Sequence, residues 1–255
     1  MKLALVQLDA DDKLWKPSAI PELVALATDA DLVVFPEGMP FYQTGQNAKT
    51  LAQAQRLLCR QGDRQKLDTA FIAGGYVREY DRLRNAVFLI HQCQIKGLYF
   101  KRIAWLGEPI TEGNQAIRFD WQSRESHFAC IPLICADAAE NPTPTGTLMM
   151  AEALQLGANV ETPIIVVSYS FELAGPMWRE ALYFWSTGCG APVAICGVSG
   201  KSQKSYVDEQ GQPHHFGGGG SAVFWPDGSH TRQSRKRGIY LIDTITRHCQ
   251  FRQIP

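Results

Sequence analysis

The sequence lacks most features that mark out the simpler functional classes. It has no net charge, with Lys plus Arg and Asp plus Glu at 25 each. Neither nucleic acid nor an acidic membrane surface is therefore an expected partner. It has no Cys-x-x-Cys pair, and its seven cysteines are odd in number. That argues against a disulfide framework and a zinc ribbon, and fits a reducing, cytoplasmic setting. No apolar run approaches the roughly 20 residues of a spanning helix. The N-terminal apolar run stops at Gln7, too short for the core of a secretory signal. Gly217–Gly220 are four consecutive glycines, but no Gly-x-Gly-x-x-Gly frame exists and no Lys-Ser/Thr follows them, so they form no phosphate loop. His214-His215 has no companions at metal-ligand spacing. No metal and no cofactor is expected. No internal repeat or long linker interrupts the 255 residues, of which 45% are hydrophobic. Residues 1–255 are read as one domain with a sizeable core.

What is there is a succession of short apolar runs and amphipathic stretches. Residues 2–8, 31–36, 70–78, 85–92, 97–101, 116–120, 126–134, 163–168 and 193–198 read as strands, several of them apolar on both faces. Two more strands are expected around Pro226-Asp227-Gly228, the last ending at residues 239–243. Helices are expected over 21–30, 49–69, 148–156 and 176–187, the second with Leu51, Ala54, Leu57, Leu58 and Leu67 on one stripe. Residues 140–147 and 200–220 read as loops. Pattern alone gives an α/β domain.

Three of the apolar runs end in a reactive group. Leu32-Val33-Val34-Phe35-Pro36 ends in Glu37, Leu98-Tyr99-Phe100 in Lys101, and Ile131-Pro132-Leu133-Ile134 in Cys135. A lone cysteine is most often a small buried hydrophobe, and a strand-end charge is often one half of a structural ion pair. Carboxylate, ammonium and thiol together supply what amide hydrolysis needs: a nucleophile, a proton carrier and an electrostatic partner for the oxyanion. A cation beside the thiol is expected to lower its pKa. Iodoacetamide should then label Cys135 before the other six cysteines.

Phe35-Pro36-Glu37-Gly38, Tyr99-Phe100-Lys101-Arg102 and Leu133-Ile134-Cys135-Ala136-Asp137 resemble, in order and spacing, the motifs of the nitrilase superfamily. These are the carbon–nitrogen hydrolases with a Glu-Lys-Cys triad. Lys2–Leu8, Ala73–Tyr76, Arg84–Val87, Gly157–Val160 and Gly220–Gly228 extend the likeness over nearly the whole chain. The resemblance implies a four-layer αββα sandwich of two mixed sheets flanked by helices, and a homodimer or larger homo-oligomer. It implies catalytic roles for Glu37, Lys101 and Cys135, with Glu108, which follows Gly107, as the accessory glutamate; Glu112 is the rival. The N–H of Ala136 is assigned as a second oxyanion donor. Tyr42, Ser168 and Tyr169 join Ala136 as substrate-binding residues.

The implied activity is cysteine-dependent hydrolysis of a non-peptide C–N bond. The substrate would be a small linear amide of amidase, omega-amidase or N-carbamoyl type, cleaved through a thioester. Two departures keep alternatives open. Ala136 stands where the family usually has a bulky residue, and the segments after Cys135 and Thr187 lack the family's usual arginine-containing runs. A nitrilase and a catalytically silent ligand- or partner-binding paralogue are the alternatives.

Overall fold

Alternation along the first strand sets the layers. Leu3 and Leu5 point into one apolar cluster, while Ala4, Val6 and Leu8 point into another. The computed structural model describes residues 1–42, 47–63, 69–105, 107–123, 126–139, 143–168, 176–207, 213–217, 220–231 and 236–255. The chain opens with β1 (Lys2–Gln7), a 3-10 turn (Pro17–Ala19), α1 (Ile20–Ala25), β2 (Leu32–Val34), β3 (Pro40–Phe41), β4 (Lys49–Thr50) and α2 (Leu51–Asp63). Then come β5 (Ala70–Glu79), β6 (Arg82–His91), β7 (Gln94–Phe100), β8 (Phe119–Ser123), β9 (Ser126–Ile134), α3 (Ala136–Ala139) and α4 (Pro144–Gln155). The remainder is β10 (Ile164–Val167), α5 (Pro176–Cys189), β11 (Val193–Cys196), β12 (Lys201–Val207), β13 (Pro213–Gly217), β14 (Ala222–Phe224), β15 (Gly238–Asp243) and β16 (Cys249–Arg252).

One mixed sheet runs β16-β15-β1-β2-β5-β6-β7, with β3 and β4 also paired to β5; the other runs β14-β11-β10-β9-β8. Leu3, Leu5, Leu32, Val34, Ile72, Val87 and Tyr99 of the first sheet share a cluster with Ile131, Leu133, Ile165 and Ile195 of the second. The same cluster takes in Met149, Met150 and Ala153 of α4 and Leu182 and Trp185 of α5. The opposite face of the first sheet, with Val6, Val33, Phe71, Phe88 and Ile90, packs on Leu23 and Val24 of α1 and Ala54 and Leu58 of α2. The order of layers is therefore helices, sheet, sheet, helices, the αββα sandwich that the resemblance implies. The Cys196 thiol ties the sheets together, its one hydrogen shared between Val6 O and Val34 O at 3.3 and 3.2 Å.

Several boundaries differ from expectation for local reasons. α2 begins at Leu51 because Lys49–Thr50 pairs with β5. Thr50 and Gln53 then cap the helix reciprocally: Gln53 N donates to Thr50 Oγ1 at 3.3 Å, and Thr50 N to Gln53 Oε1 at 3.0 Å. α4 begins at Pro144 rather than Leu148. Thr143 is its N-cap, accepting from Gly146 N at 3.2 Å, and proline suits a first turn. The expected loop at 200–220 instead contains a hairpin, β12 against β13, which pairs with neither main sheet. Among the described residues no helix is long and apolar enough to cross a membrane.

Candidate active site

The sheet topology gathers strand ends at one edge. β1, β2 and β5 are parallel, and β7 returns parallel to β5 across the antiparallel β6. β9 and β10 are parallel in the second sheet. Glu37 lies three residues beyond β2, Lys101 directly follows β7, Cys135 directly follows β9 and Ser168 directly follows β10. Gly75 lets the loop after β2 press onto β5. Its φ is +132°, and a Cβ there would meet Phe41 O at 2.2 Å and Gly38 Cα at 2.8 Å.

Cys135 occupies a sharp strand-to-helix turn. Its φ is +45°, a left-handed conformation that costs a non-glycine residue about 1–3 kcal/mol and is found where function demands it. The turn is fixed from three sides. Cys135 N donates to Val167 O at 2.8 Å, Ala138 N donates to Cys135 O at 3.0 Å, and the Asp137 carboxylate folds back beneath it. Asp137 is fully buried and accepts four hydrogen bonds. Oδ2 takes Tyr99 Oη at 2.7 Å and Ile134 N at 3.0 Å; Oδ1 takes Arg102 N at 3.0 Å and Ile103 N at 2.9 Å. One carboxylate thus fastens the segment that carries the thiol to the segment that carries the lysine.

The lysine sits between two glutamates. Lys101 Nζ donates to Glu37 Oε1 at 3.1 Å and to Glu108 Oε2 at 2.7 Å, and all three side chains are more than nine-tenths buried. Glu108 Oε2 also accepts from Trp105 N at 3.1 Å, and its Oε1 accepts from Tyr76 Oη at 2.9 Å and Asn85 Nδ2 at 3.0 Å. Asn85 Nδ2 also donates to Glu37 Oε1 at 2.7 Å. The rival Glu112 is occupied elsewhere: its Oε1 accepts from Ala104 N at 2.7 Å and its carbonyl from Arg84 Nη1 at 2.7 Å. The structure therefore brings Glu108, not Glu112, to the lysine.

Burial works against the Lys101 ammonium, but Glu37, the Cys135 sulfur and Glu108 outweigh it and hold its pKa well above the usual value. Burial likewise opposes ionisation of Glu108, yet the Lys101 charge and the hydrogen bonds from Lys101, Asn85 and Trp105 N keep its carboxyl below the usual range. The thiol behaves otherwise than expected. Burial, reinforced by Glu37, pushes Cys135 up to about 12 against the opposing pull of Lys101 and the Ser168 hydroxyl. Lys101 does pull the thiol pKa down, but desolvation of the thiol and the two carboxylates outweigh it. At neutral pH the resting thiol carries its proton.

Of the other expected residues, Ser168 is at the thiol, its Oγ 3.6 Å from Cys135 Sγ. Ala136 is fully buried and opens α3 directly after the thiol. Tyr42 is half exposed and lines a depression of about 260 Å³ with Trp15, Lys16, Lys49 and Tyr76. Tyr76 is thus common to the depression and the carboxylate cluster. Tyr169 lies outside the described residues. Asn85, Tyr76 and Asp137 were not singled out from the sequence as site residues. Asn85 and Tyr76 face each other across β5 and β6, and Asn85 O accepts from Lys101 N at 2.8 Å. That row is visible only once the register is known. Among the described residues no group of three or more His, Cys, Asp or Glu is placed to hold a metal ion.

No protein-family profile matches the chain, and no curated protein matches it. Solved structures do. An amidase from Nesterenkonia sp. superposes with a TM-score of 0.72 at 18% identity, over 95% of this chain and 89% of that one. Saccharomyces cerevisiae Nit3, a member of branch 10 of the nitrilase superfamily, gives 0.67 at 20% identity over 94% and 88%. A carbon–nitrogen hydrolase from Helicobacter pylori gives 0.70 at 14% identity over 94% and 87%. The fold is that of the carbon–nitrogen hydrolases. The likeness read from the Glu37, Lys101 and Cys135 motifs is thus met by structural neighbours from the nitrilase superfamily.

Proposed function

We propose that this chain is a cysteine-dependent hydrolase of a non-peptide C–N bond, acting on a small linear amide through a thioester. The observation that carries the reading is the buried Lys101 ammonium, bound by Glu37 and Glu108 at 3.1 and 2.7 Å at the strand edge that also bears Cys135. Cys135 Sγ attacks the carbonyl carbon while its proton passes to Glu37. Lys101 Nζ and the Ala136 N–H receive the oxyanion. Glu37 then protonates the leaving nitrogen, and ammonia departs as the thioester forms. Glu37 next takes a proton from water, whose oxygen attacks the thioester, and the carboxylic acid leaves as the proton returns to sulfur. Glu108, with both oxygens engaged by the protein, orients Lys101 rather than the substrate.

The enzyme is proposed to act as a homodimer in the cytoplasm and as one domain. Seven free thiols suit that setting. The apolar helix over residues 177–187, on which Phe184 is exposed, is the proposed contact with a second copy. Acrylamide is a suitable probe of the thiol, because a Glu-to-Gln mutant of the Nesterenkonia sp. amidase carries it, by Michael addition, on the active-site cysteine. The test is an ammonia-release screen over linear amides, N-carbamoyl compounds and nitriles, with Cys135→Ser alongside. Turnover of an amide that the variant abolishes supports the reading, and turnover of nitriles alone makes the protein a nitrilase. No turnover by the parent leaves a ligand-binding paralogue.

A further inference from the structure

The row Tyr76, Asn85, Lys101 crosses β5, β6 and the end of β7, and Asn85 stands in its middle. Its side-chain Nδ2 has two hydrogens and two carboxylate acceptors, Glu37 Oε1 at 2.7 Å and Glu108 Oε1 at 3.0 Å. This orientation of the amide is forced, since turning it over would put Oδ1 against two anions. The residue is 1% exposed, and among the described residues Oδ1 is buried with no hydrogen-bond partner. A leucine would fill similar volume without burying such an orphan, so the amide's cost is offset by what its two N–H groups do.

We propose that Asn85 is a positioning residue that bridges the two glutamates beside the one lysine and, through that bridge, holds Glu108 in its ionised form. The inference rests on the roles given above to Glu37 and Lys101. Without the bridge, two carboxylates would share a single ammonium at close range, an arrangement that normally forces one of them to hold a proton. Glu108 has the further donors Tyr76 Oη and Trp105 N. The charged and titratable groups acting on this cluster are Lys101 from the end of β7, Glu37 from beyond β2, Tyr76 from β5 and Cys135 from the end of β9.

The experiment is a carboxyl titration that needs no substrate. Protein labelled with 13C at the glutamate carboxyls is followed by NMR against pH, with Glu37→Gln and Glu108→Gln used to assign the two signals. In the parent, Glu108 should titrate below the ordinary glutamate value of about 4.3. In Asn85→Leu its midpoint should rise by roughly 1–2 pH units, the effect of losing one hydrogen bond to a charged group. Should Asn85→Leu fail to fold, Asn85→Ala removes the same donor without forcing a fit. With the best amide from the screen, kcat should fall on the order of 10²-fold while KM changes little, because the bridge touches no substrate. Unchanged midpoints in a folded variant overturn the inference even if the parent is an active amidase. A shifted Glu108 midpoint in a protein that turns over no amide leaves the bridge standing as the device that keeps Glu108 charged, and removes the amidase reading.

Discussion

Replacing Asp137 by alanine removes the acceptor for Tyr99 Oη, Ile134 N, Arg102 N and Ile103 N at once. Four hydrogen bonds at roughly 1–1.5 kcal/mol each amount to about 4–6 kcal/mol. The charge itself offsets part of this. Burial outweighs the donors and pushes the Asp137 carboxyl from 3.8 up to about 6, so keeping it ionised at pH 7 costs about 3 kcal/mol. The variant should therefore be destabilised by about 1–3 kcal/mol at pH 7, read as a lower urea midpoint at unchanged slope by tryptophan fluorescence. The pH dependence supplies a sharper test. A carboxyl whose folded pKa lies above its unfolded one contributes most below the unfolded pKa and loses that contribution as pH rises through the folded one. The gap between parent and variant should widen by about 2 kcal/mol on going from pH 7 to pH 4.5. A gap that narrows would mean that the donors, not burial, set the carboxyl. No gap at either pH would mean that Asp137 is not the tie between the thiol and lysine segments. Turnover should fall with Cys135, Lys101 and Glu37 all still present, because the fastening between them is gone.

Iodoacetamide at neutral pH should label the exposed Cys249 before Cys135, whose thiol is buried and held near 12; peptide-resolved mass spectrometry showing Cys135 first would contradict that electrostatic account. Glu37→Gln should make the Cys135 thiol more acidic, since Glu37 raises it, and yet slow turnover about 10²–10⁴-fold. Thiolate absorbance and rate should thus move in opposite directions, whereas Lys101→Met should raise the thiol pKa and lower the rate together. Sedimentation at micromolar concentration should show a dimer that Phe184→Glu weakens; a stable 28.4 kDa parent monomer would refute the proposed assembly.

The sequence was most informative where burial is complete. Parallel strands covered on both faces read as unbroken apolar runs, so Ile164–Val167 and Val193–Cys196 stand out, and Ser168 directly after the first lies at the functional edge. It was least informative where tertiary pairing alone makes the element. β16 is exposed over most of its length and exists because it pairs with β15, and β12–β13 carries no apolar alternation. The single turn of α3 is too short to show a period. The start of α4 is legible in Thr143-Pro144, a cap followed by an N1 proline, within the stretch 140–147 that otherwise reads as a loop. Asn85 and Tyr76 are nine residues apart in sequence and opposite each other in space, and nothing in either local stretch announces the pairing.

Charge conservation links these pieces. At rest the Lys101 ammonium and the Glu108 carboxylate are held in their ionised forms and the Cys135 thiol keeps its proton. Ionising the thiol toward solvent would add a negative charge beside Glu37 and Glu108, and the high Cys135 pKa expresses that cost. In the proposed chemistry the proton instead moves to Glu37 as sulfur attacks. One carboxylate is neutralised as the oxyanion appears, and the net charge of the site stays constant through the step. Such a scheme leaves Glu108, which accepts from Tyr76 Oη, Asn85 Nδ2, Lys101 Nζ and Trp105 N, as the carboxylate held in its ionised form. The lysine's role on this account is to keep a cation at the oxyanion's side of a cluster whose charge does not change, rather than to pre-ionise the thiol.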